Sequence, residues 1–274
     1  MPPIAFRQVF PAMPPAGTVV LPLTNRELLQ RYARLFRRAR SAFNAPGLVV
    51  SAVLNLALLI LWWTLWPVSG SAPGVHVGIA LSIALWFAGH WFTAGCTSLV
   101  FALVAMGRRV VVADVVAELK PVFWRLLGLS ALCGVLVPAG LVVGVVPGVL
   151  AYGAVALAGP ALVLERLTVG QAVARSLELL RGQGWRTFRL LLVTAVSTVV
   201  VAVFVPLQVY RTWDLPSDVN PFWVLFTMAV SMALVSGALW AGSGALISMY
   251  YVDRYLVVAT RPATSPVQQV TTTG

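Results

Sequence analysis

Long uncharged hydrophobic runs alternate along the chain with short segments that hold most of its charge. Six of these runs are long enough to cross the ~30 Å hydrocarbon core of a bilayer as helices, which rise 1.5 Å per residue. The predicted membrane spans cover about residues 45–66, 76–106, 123–143, 146–164, 185–210 and 222–252. The pattern therefore predicts an all-α polytopic membrane protein with six transmembrane helices.

Each pair of predicted spans follows an amphipathic segment, at residues 24–43, 107–121 and 165–182. In the first segment, leucines and aromatic residues share one helical face, and arginines fill the other. This pattern is typical of a helix that lies in the membrane interface. The alternative is a solvated helix packed on the protein's own cytoplasmic side.

The other two amphipathic segments also separate polar from apolar residues. In the second, Asp114 and Glu118 are predicted to lie opposite an apolar face. That face comprises Val112, Val115, Val116 and Leu119. In the third, Gln171, Arg175 and Glu178 are predicted to be polar neighbours. The apolar face there comprises Val169, Ala172, Val173, Leu177 and Leu180.

Start and stop signals delimit these helices. Thr24 with Glu27, and Thr168 with Gln171, have the spacing of capping boxes. Pro121 is predicted to end the second helix, because proline cannot continue the backbone hydrogen-bond ladder. The third and fourth spans are expected to turn between residues 143 and 147. The glycine ladder there is consistent with a turn or with a close-packed helix face, and comprises Gly140, Gly144 and Gly148.

The recurring layout predicts three parallel repeats, each a cytoplasmic amphipathic helix followed by a membrane hairpin. Of the 19 basic residues, all but Arg211 fall on one side of the predicted membrane. Basic residues are retained in the cytoplasm, so both termini are predicted to be cytoplasmic. Residues 1–23 are predicted to be an irregular Pro-rich leader, 24–258 the membrane domain, and 259–274 a disordered tail.

The amino-acid composition indicates which solvent surrounds the protein. Hydrophobic residues make up 59% of the chain and charged residues 10%, whereas soluble domains have about 25% charged residues. Lipid must therefore cover most of the surface. A net charge of +11 then indicates anionic lipid at the cytoplasmic face as a partner, and no nucleic acid.

Candidate chemistry is sparse. The sequence contains no motif for catalysis, metal binding or cofactor binding. His90 and Asn55 fall at membrane depth, where polar groups often contact a proton or a substrate. The alternative for both is a hydrogen bond between helices.

Charged residues mark the ends of two predicted spans. Glu165 ends the fourth span and is predicted to reach Arg175 or Arg186 in a structural ion pair. Asp253 and Arg254 end the sixth span and receive the same interpretation.

The segment LVLERLTVGQAVARSLELLRGQGWRTF resembles bacterial six-span proteins grouped as the glycerophosphoryl diester phosphodiesterase membrane domain and its relatives of unknown function. The matching positions are Glu165, Ala172, Arg175, Ser176, Leu179, Gly182 and Trp185. The closing YYVDRY, residues 250–255, is similar to that family's Tyr-Tyr-Asp-x-Arg ending, although the order after the aspartate differs. The resemblance implies a bacterial plasma-membrane protein. It does not imply phosphodiesterase activity, since a separate barrel domain is the enzyme in that family.

These observations predict a non-catalytic protein of the bacterial inner membrane that acts as scaffold, subunit or regulator. Its partner would be another membrane protein or a second copy. The alternative is a transporter or lipid-handling protein, indicated by the repeated hairpins and by the polar groups at membrane depth.

Overall fold

The computed structural model describes residues 24–38, 40–65, 72–105, 110–181 and 221–259. Within these ranges all regular secondary structure is helical: α1 Asn25–Arg38, α2 Arg40–Leu65, α3 Ala72–Ala105, α4 Val112–Leu119, α5 Phe123–Val143, α6 Val145–Val155, α7 Ala158–Leu164, α8 Val169–Leu180 and α9 Pro221–Ala259. The prediction of an all-α chain is confirmed for these residues.

Five segments of the described chain are long and apolar enough to cross a membrane. They are Arg40–Leu61, Ala80–Val104, Phe123–Val143, Val146–Leu164 and Met232–Val257. They match five of the six predicted spans. The predicted span at 185–210 lies outside the described residues, as do the predicted leader at 1–23 and residues 260–274 of the predicted tail.

Helix α3 is the central span. Of its most apolar window, 83% is buried inside the protein, against 22% for the span in α2. Helices α2, α5, α7 and α9 all pack against it. A helix surrounded in this way has little lipid contact, which explains why its sequence includes small and polar residues.

Helix α9 packs against α2 and α3 through small residues. A Cβ atom added to Gly237 would lie 2.9 Å from the Cα of Leu48, so this crossing requires glycine. The hydroxyl groups of Ser51 and Ser236 bond across the α2–α9 interface. The hydroxyl oxygens of Ser98 and Ser248 lie 2.8 Å apart across the α3–α9 interface. Five small residues thus fix the position of α9.

The chain turns between α5 and α6 at Gly144, where the sequence predicted a turn. The glycines on either side also pack closely, since a Cβ atom on Gly140 would lie 2.9 Å from the Cα of Gly148. The glycine ladder therefore provides both the turn and a close contact.

The fourth span is not one continuous helix. It breaks between α6 and α7 at Ala156 and Leu157. Pro160 explains the break, because a proline ring clashes with the carbonyl four residues earlier. The backbone N–H of Leu157 instead donates to the hydroxyl oxygen of Ser176 in α8, at 3.2 Å. The interrupted span thus has a direct link to an amphipathic helix.

Two predicted features of the amphipathic segments need correction. In α4, Val115 and Leu119 of the predicted apolar face pack against the core, but Val112 is 71% exposed and Glu118 is buried. Glu118 follows Val115 by three residues, so it lies beside the face that packs on the core. In α8, Leu177 is exposed instead of buried.

Candidate interaction site at the charged end of the bundle

Helix α8 begins with the capping box that its sequence predicted. Both the backbone N–H and the hydroxyl of Thr168 donate to the Oε1 atom of Gln171, at 3.1 and 2.9 Å. The corresponding bonds join Thr24 to Glu27 at the start of α1. Because the cap fixes where α8 starts, it also fixes which residues face the bundle.

Glu165 lies just after α7 and accepts hydrogen bonds from two neighbouring helices. The Nε atom of Arg175, in α8, lies 3.1 Å from its Oε1 atom. The hydroxyl of Tyr251, in α9, donates to the same oxygen. The expected contact between Glu165 and Arg175 is thus present, and a tyrosine completes it.

Arg175 is the centre of this cluster. Its Nη1 atom lies 2.6 Å from the Oε2 atom of Glu178, and its guanidinium stands 5.4 Å from the ring centre of Tyr255. Burial by itself lowers the pKa of Arg175. The hydrogen bond that Arg175 donates to Glu178 and the charge of Glu165 outweigh this effect and raise the pKa above its ordinary value. Arg175 therefore remains a cation and holds both carboxylates.

Arg254 holds the other end of α8. It is 1% exposed, and its Nε atom donates to the carbonyl oxygen of Leu179 at 3.4 Å. The last carbonyls of a helix lack intrahelical partners and attract cations. We call Glu165, Arg175, Leu179, Tyr251, Arg254 and Tyr255 the α8 clamp. Through it, α9 contacts the turn before α8, its middle and its end.

A second ion pair ties the turn before α8 to α4. The Nη2 atom of Arg166 lies 2.8 Å from the Oε2 atom of Glu118. Arg166 has a positive φ of 55°, which is unfavourable for a residue other than glycine. Its carbonyl oxygen also accepts a hydrogen bond from the Nη1 atom of Arg125 at 3.4 Å. These contacts offset the backbone strain and hold Glu165 and Arg166 on opposite sides of the turn.

His90 is packed among aromatic rings within the central span. It is 1% exposed, and its Nε2 atom lies 3.4 Å from the hydroxyl of Tyr152 in α6. The ring of Trp91 meets it edge-on at 5.2 Å. His90 is thus bonded to a neighbouring helix, which was the alternative to a contact with a proton or a substrate.

Asn55 also lies inside the bundle, at 5% exposure. Its Nδ2 atom donates to the carbonyl and hydroxyl oxygens of Ser51, one turn earlier in the same helix. Since Ser51 bonds in turn to Ser236, Asn55 extends a polar link between α2 and α9.

The predicted site residues thus separate into two groups. The structure brings Glu165, Arg175 and Arg254 together at the α8 clamp, and Asp253 is buried beside Arg254 in the same turn. It leaves Asn55 and His90 within the membrane spans. Arg186 lies outside the described residues.

Sequence reasoning did not identify Tyr251, Tyr255 and Ser176 as clamp or linking residues. Tyr251, Arg254 and Tyr255 recur at helical spacing, which was the available signal for a shared face. Ser176 was a matching position of the motif, but the sequence did not indicate its partner, which is a backbone group exposed by a helix break.

A lateral groove opens at the same end of the bundle. Its volume is about 440 Å³, and its walls are the first turns of α2, the last turns of α3, helix α4 with the residues before it, and the start of α5. In the described ranges, no cluster of three or more His, Cys, Asp or Glu side chains is placed to hold a metal ion.

Comparisons with family models, curated proteins and solved structures found no match. The segment around Glu165 and Arg175 meets the closing YYVDRY segment in space. Glu165 contacts Tyr251, and the guanidinium of Arg175 stands over the ring of Tyr255.

Proposed function

We propose that this is a non-catalytic scaffold, subunit or regulator in the bacterial plasma membrane, with six spans in three parallel repeats. Both termini and the three amphipathic helices face the cytoplasm in this proposal, because all basic residues but Arg211 fall on that side of the predicted membrane. The observation that supports it best is the α8 clamp, which fixes one amphipathic helix while its other side stays exposed.

The clamp favours a structural role for Glu165. Its Oε1 atom accepts hydrogen bonds from both Arg175 and Tyr251, so donors from two helices fix the carboxylate in place. A general acid or base instead needs access to a substrate proton. The cluster therefore fits a device that positions α8.

The exposed side of α8 is suited to a protein partner. This α8 outer face comprises Gly170, Gln171, Ala174, Leu177, Glu178 and Arg181. Leu177 is 46% exposed, with polar and charged residues around it. An apolar centre within a polar rim is the arrangement found in protein interfaces. A cytoplasmic segment of another membrane protein, or a second copy of this chain, fits such a surface.

Exposed basic residues favour the bilayer as a further partner. Arg26, Arg34, Arg40 and Lys120 are all exposed near the charged end of the bundle. Anionic lipid headgroups of the cytoplasmic leaflet attract such residues, each contributing about 1 kcal/mol near the surface.

The test is photocrosslinking in cells with a photoreactive amino acid at Leu177. We expect one discrete protein product, either with another membrane protein or with a second copy. The control places the same probe at Val142, which is 88% exposed at the opposite end of the bundle. Products of equal yield and pattern from both positions, or none from Leu177, would contradict the proposal.

The second candidate is a transporter or lipid-handling protein. The lateral groove favours it, because a groove open to the bilayer admits lipid from the side. Purified protein in vesicles with fluorescent lipid tests this candidate. Faster exchange of lipid between leaflets than in protein-free vesicles would support it, and an unchanged rate would exclude lipid transfer.

A further inference from the structure

The lateral groove lies at one level of the membrane. Its wall in α2 extends from Ser41 to Val50, and its wall in α3 from Phe92 to Val100. At 1.5 Å per residue, the nine steps along α2 span roughly 14 Å. Half of a ~30 Å hydrocarbon core is roughly 15 Å deep. The groove therefore matches the hydrocarbon of a single leaflet.

The groove's surface is almost entirely apolar. Apart from Ser41 at one end, its lining consists of Ala, Pro, Val, Leu, Phe and a single cysteine, Cys96. Buried free cysteine behaves as a small hydrophobic side chain. Such a lining gains little from water and favours a hydrocarbon chain.

The groove is open to its surroundings. Two of its lining residues, Val49 and Val112, are 63% and 71% exposed. Valines this exposed in a membrane protein face lipid, since contact with water would be unfavourable. Within the described part of the chain, these exposed valines leave the groove open at its side.

Two basic residues adjoin the groove lining in the chain. Arg40 precedes Ser41, and Lys120 follows the lining residue Leu119. Both are exposed, and neither forms an ion pair within the part of the chain that the structure describes. Of the two acids in α4, Glu118 is paired with Arg166 and Asp114 is half-buried.

We propose that this groove binds one acyl chain of an anionic glycerophospholipid, whose phosphate lies between Arg40 and Lys120. Three properties of the groove together favour this occupant: its apolar lining is as long as one leaflet is deep, it opens sideways, and positive charge lies near the headgroup level. The inference goes beyond the scaffold function, because the groove and the α8 outer face are formed by different helices. A lipid can occupy the first whether or not a partner binds the second.

The test uses the full-length protein in vesicles of phosphatidylcholine with a minor fraction of phosphatidylglycerol that has a diazirine on its acyl chain. After illumination, mass spectrometry maps the labelled peptides. We expect labelling to concentrate on residues 41–50 and 110–123. Val49→Trp fills the groove and should reduce this labelling at least threefold. Val135→Trp is the matched control, since Val135 is also 63% exposed but lies outside the groove lining.

A second comparison tests whether the groove prefers a lipid with an anionic headgroup. The double variant Arg40→Gln with Lys120→Gln should weaken groove labelling by the anionic probe and leave labelling by a diazirine phosphatidylcholine unchanged. Labelling spread over all lipid-facing segments, and insensitive to Val49→Trp, would overturn the site. Equal groove labelling by both probes, insensitive to the double variant, would overturn the anionic specificity. The absence of a protein crosslink at Leu177 would not change either lipid-labelling result. The scaffold proposal and the lipid proposal can therefore fail independently.

Discussion

The hydroxyl of Tyr251 donates a hydrogen bond to the carboxylate of Glu165, a residue 86 positions earlier in the chain. This bond joins the end of α9 to the turn that leads into α8. The position of an amphipathic helix therefore depends on the last described span. The following predictions test that dependence and the packing around it.

Glu165→Gln should lower the free energy of unfolding by about 1–2 kcal/mol, because Arg175 then loses a partly buried ionic partner. Reversible unfolding in mixed detergent micelles measures the change. Glu178→Gln is the matched control. Glu178 contacts the same arginine but its side chain is 51% exposed, so its removal should cost less than about 0.5 kcal/mol. Equal losses from the two variants would show that burial does not set the strength of these ion pairs.

The same assay extends to a double-mutant cycle. Tyr251→Phe removes only the hydroxyl that donates to Glu165. Combined with Glu165→Ala, which removes the acceptor oxygen, it should cost less than the sum of the two single changes, since both remove one shared contact. Strict additivity would mean that the tyrosine and the carboxylate act independently.

Ser176→Ala should destabilise the protein by about 1–3 kcal/mol, because it leaves the buried N–H of Leu157 without an acceptor. Unfolding in detergent again gives the measurement. Ser130→Ala should cost clearly less. Ser130 is equally buried, but its hydroxyl donates to Leu126 in its own helix. Equal stability of the two variants would contradict an important role for the hydrogen bond between Ser176 and Leu157.

Gly237→Ala should cost about 1–3 kcal/mol, because the new methyl group meets the backbone of α2 and forces the helices apart. Gly128→Ala is the control, since no atom lies within 4 Å of its added Cβ. That change should be neutral or stabilising by up to about 1 kcal/mol, because alanine favours a helix. A neutral Gly237→Ala would refute the close α2–α9 crossing.

Much of the fold could be predicted from the sequence, because a helix that crosses the hydrocarbon core needs an uncharged hydrophobic run of about 20 residues. Five predicted spans correspond to helices, and the turn at Gly144 and the cap at Thr168 lie where local signals put them. Each of these features depends on neighbours in the chain. Short-range chemistry was therefore sufficient to locate them.

Features that depend on distant contacts were not predicted. Glu118 is buried because Arg166, 48 residues later, comes close enough to pair with it. Leu177 is exposed because Ala172, Ser176 and Leu179 occupy the side of α8 that faces the bundle. The break before Pro160 was also missed, although its cause is local, because the run's hydrophobicity indicated one continuous span.

Orientation in the membrane is tested by cysteine labelling in a background with Cys96 and Cys133 replaced by alanine. Val142→Cys should react with a membrane-impermeant maleimide in intact spheroplasts. Thr24→Cys should react only after permeabilisation, because the proposed topology places its side of the protein, where most basic residues lie, in the cytoplasm. The opposite pattern would reverse the proposed topology.

The central claim is that the α8 clamp presents α8 to a partner. The most direct measurement is the yield of the Leu177 photocrosslink in cells that express wild type, Glu165→Gln or Ser130→Ala at matched levels. The account predicts a discrete product in wild type and in Ser130→Ala, reduced several-fold in Glu165→Gln. An undiminished product in Glu165→Gln, or none in wild type, would contradict it.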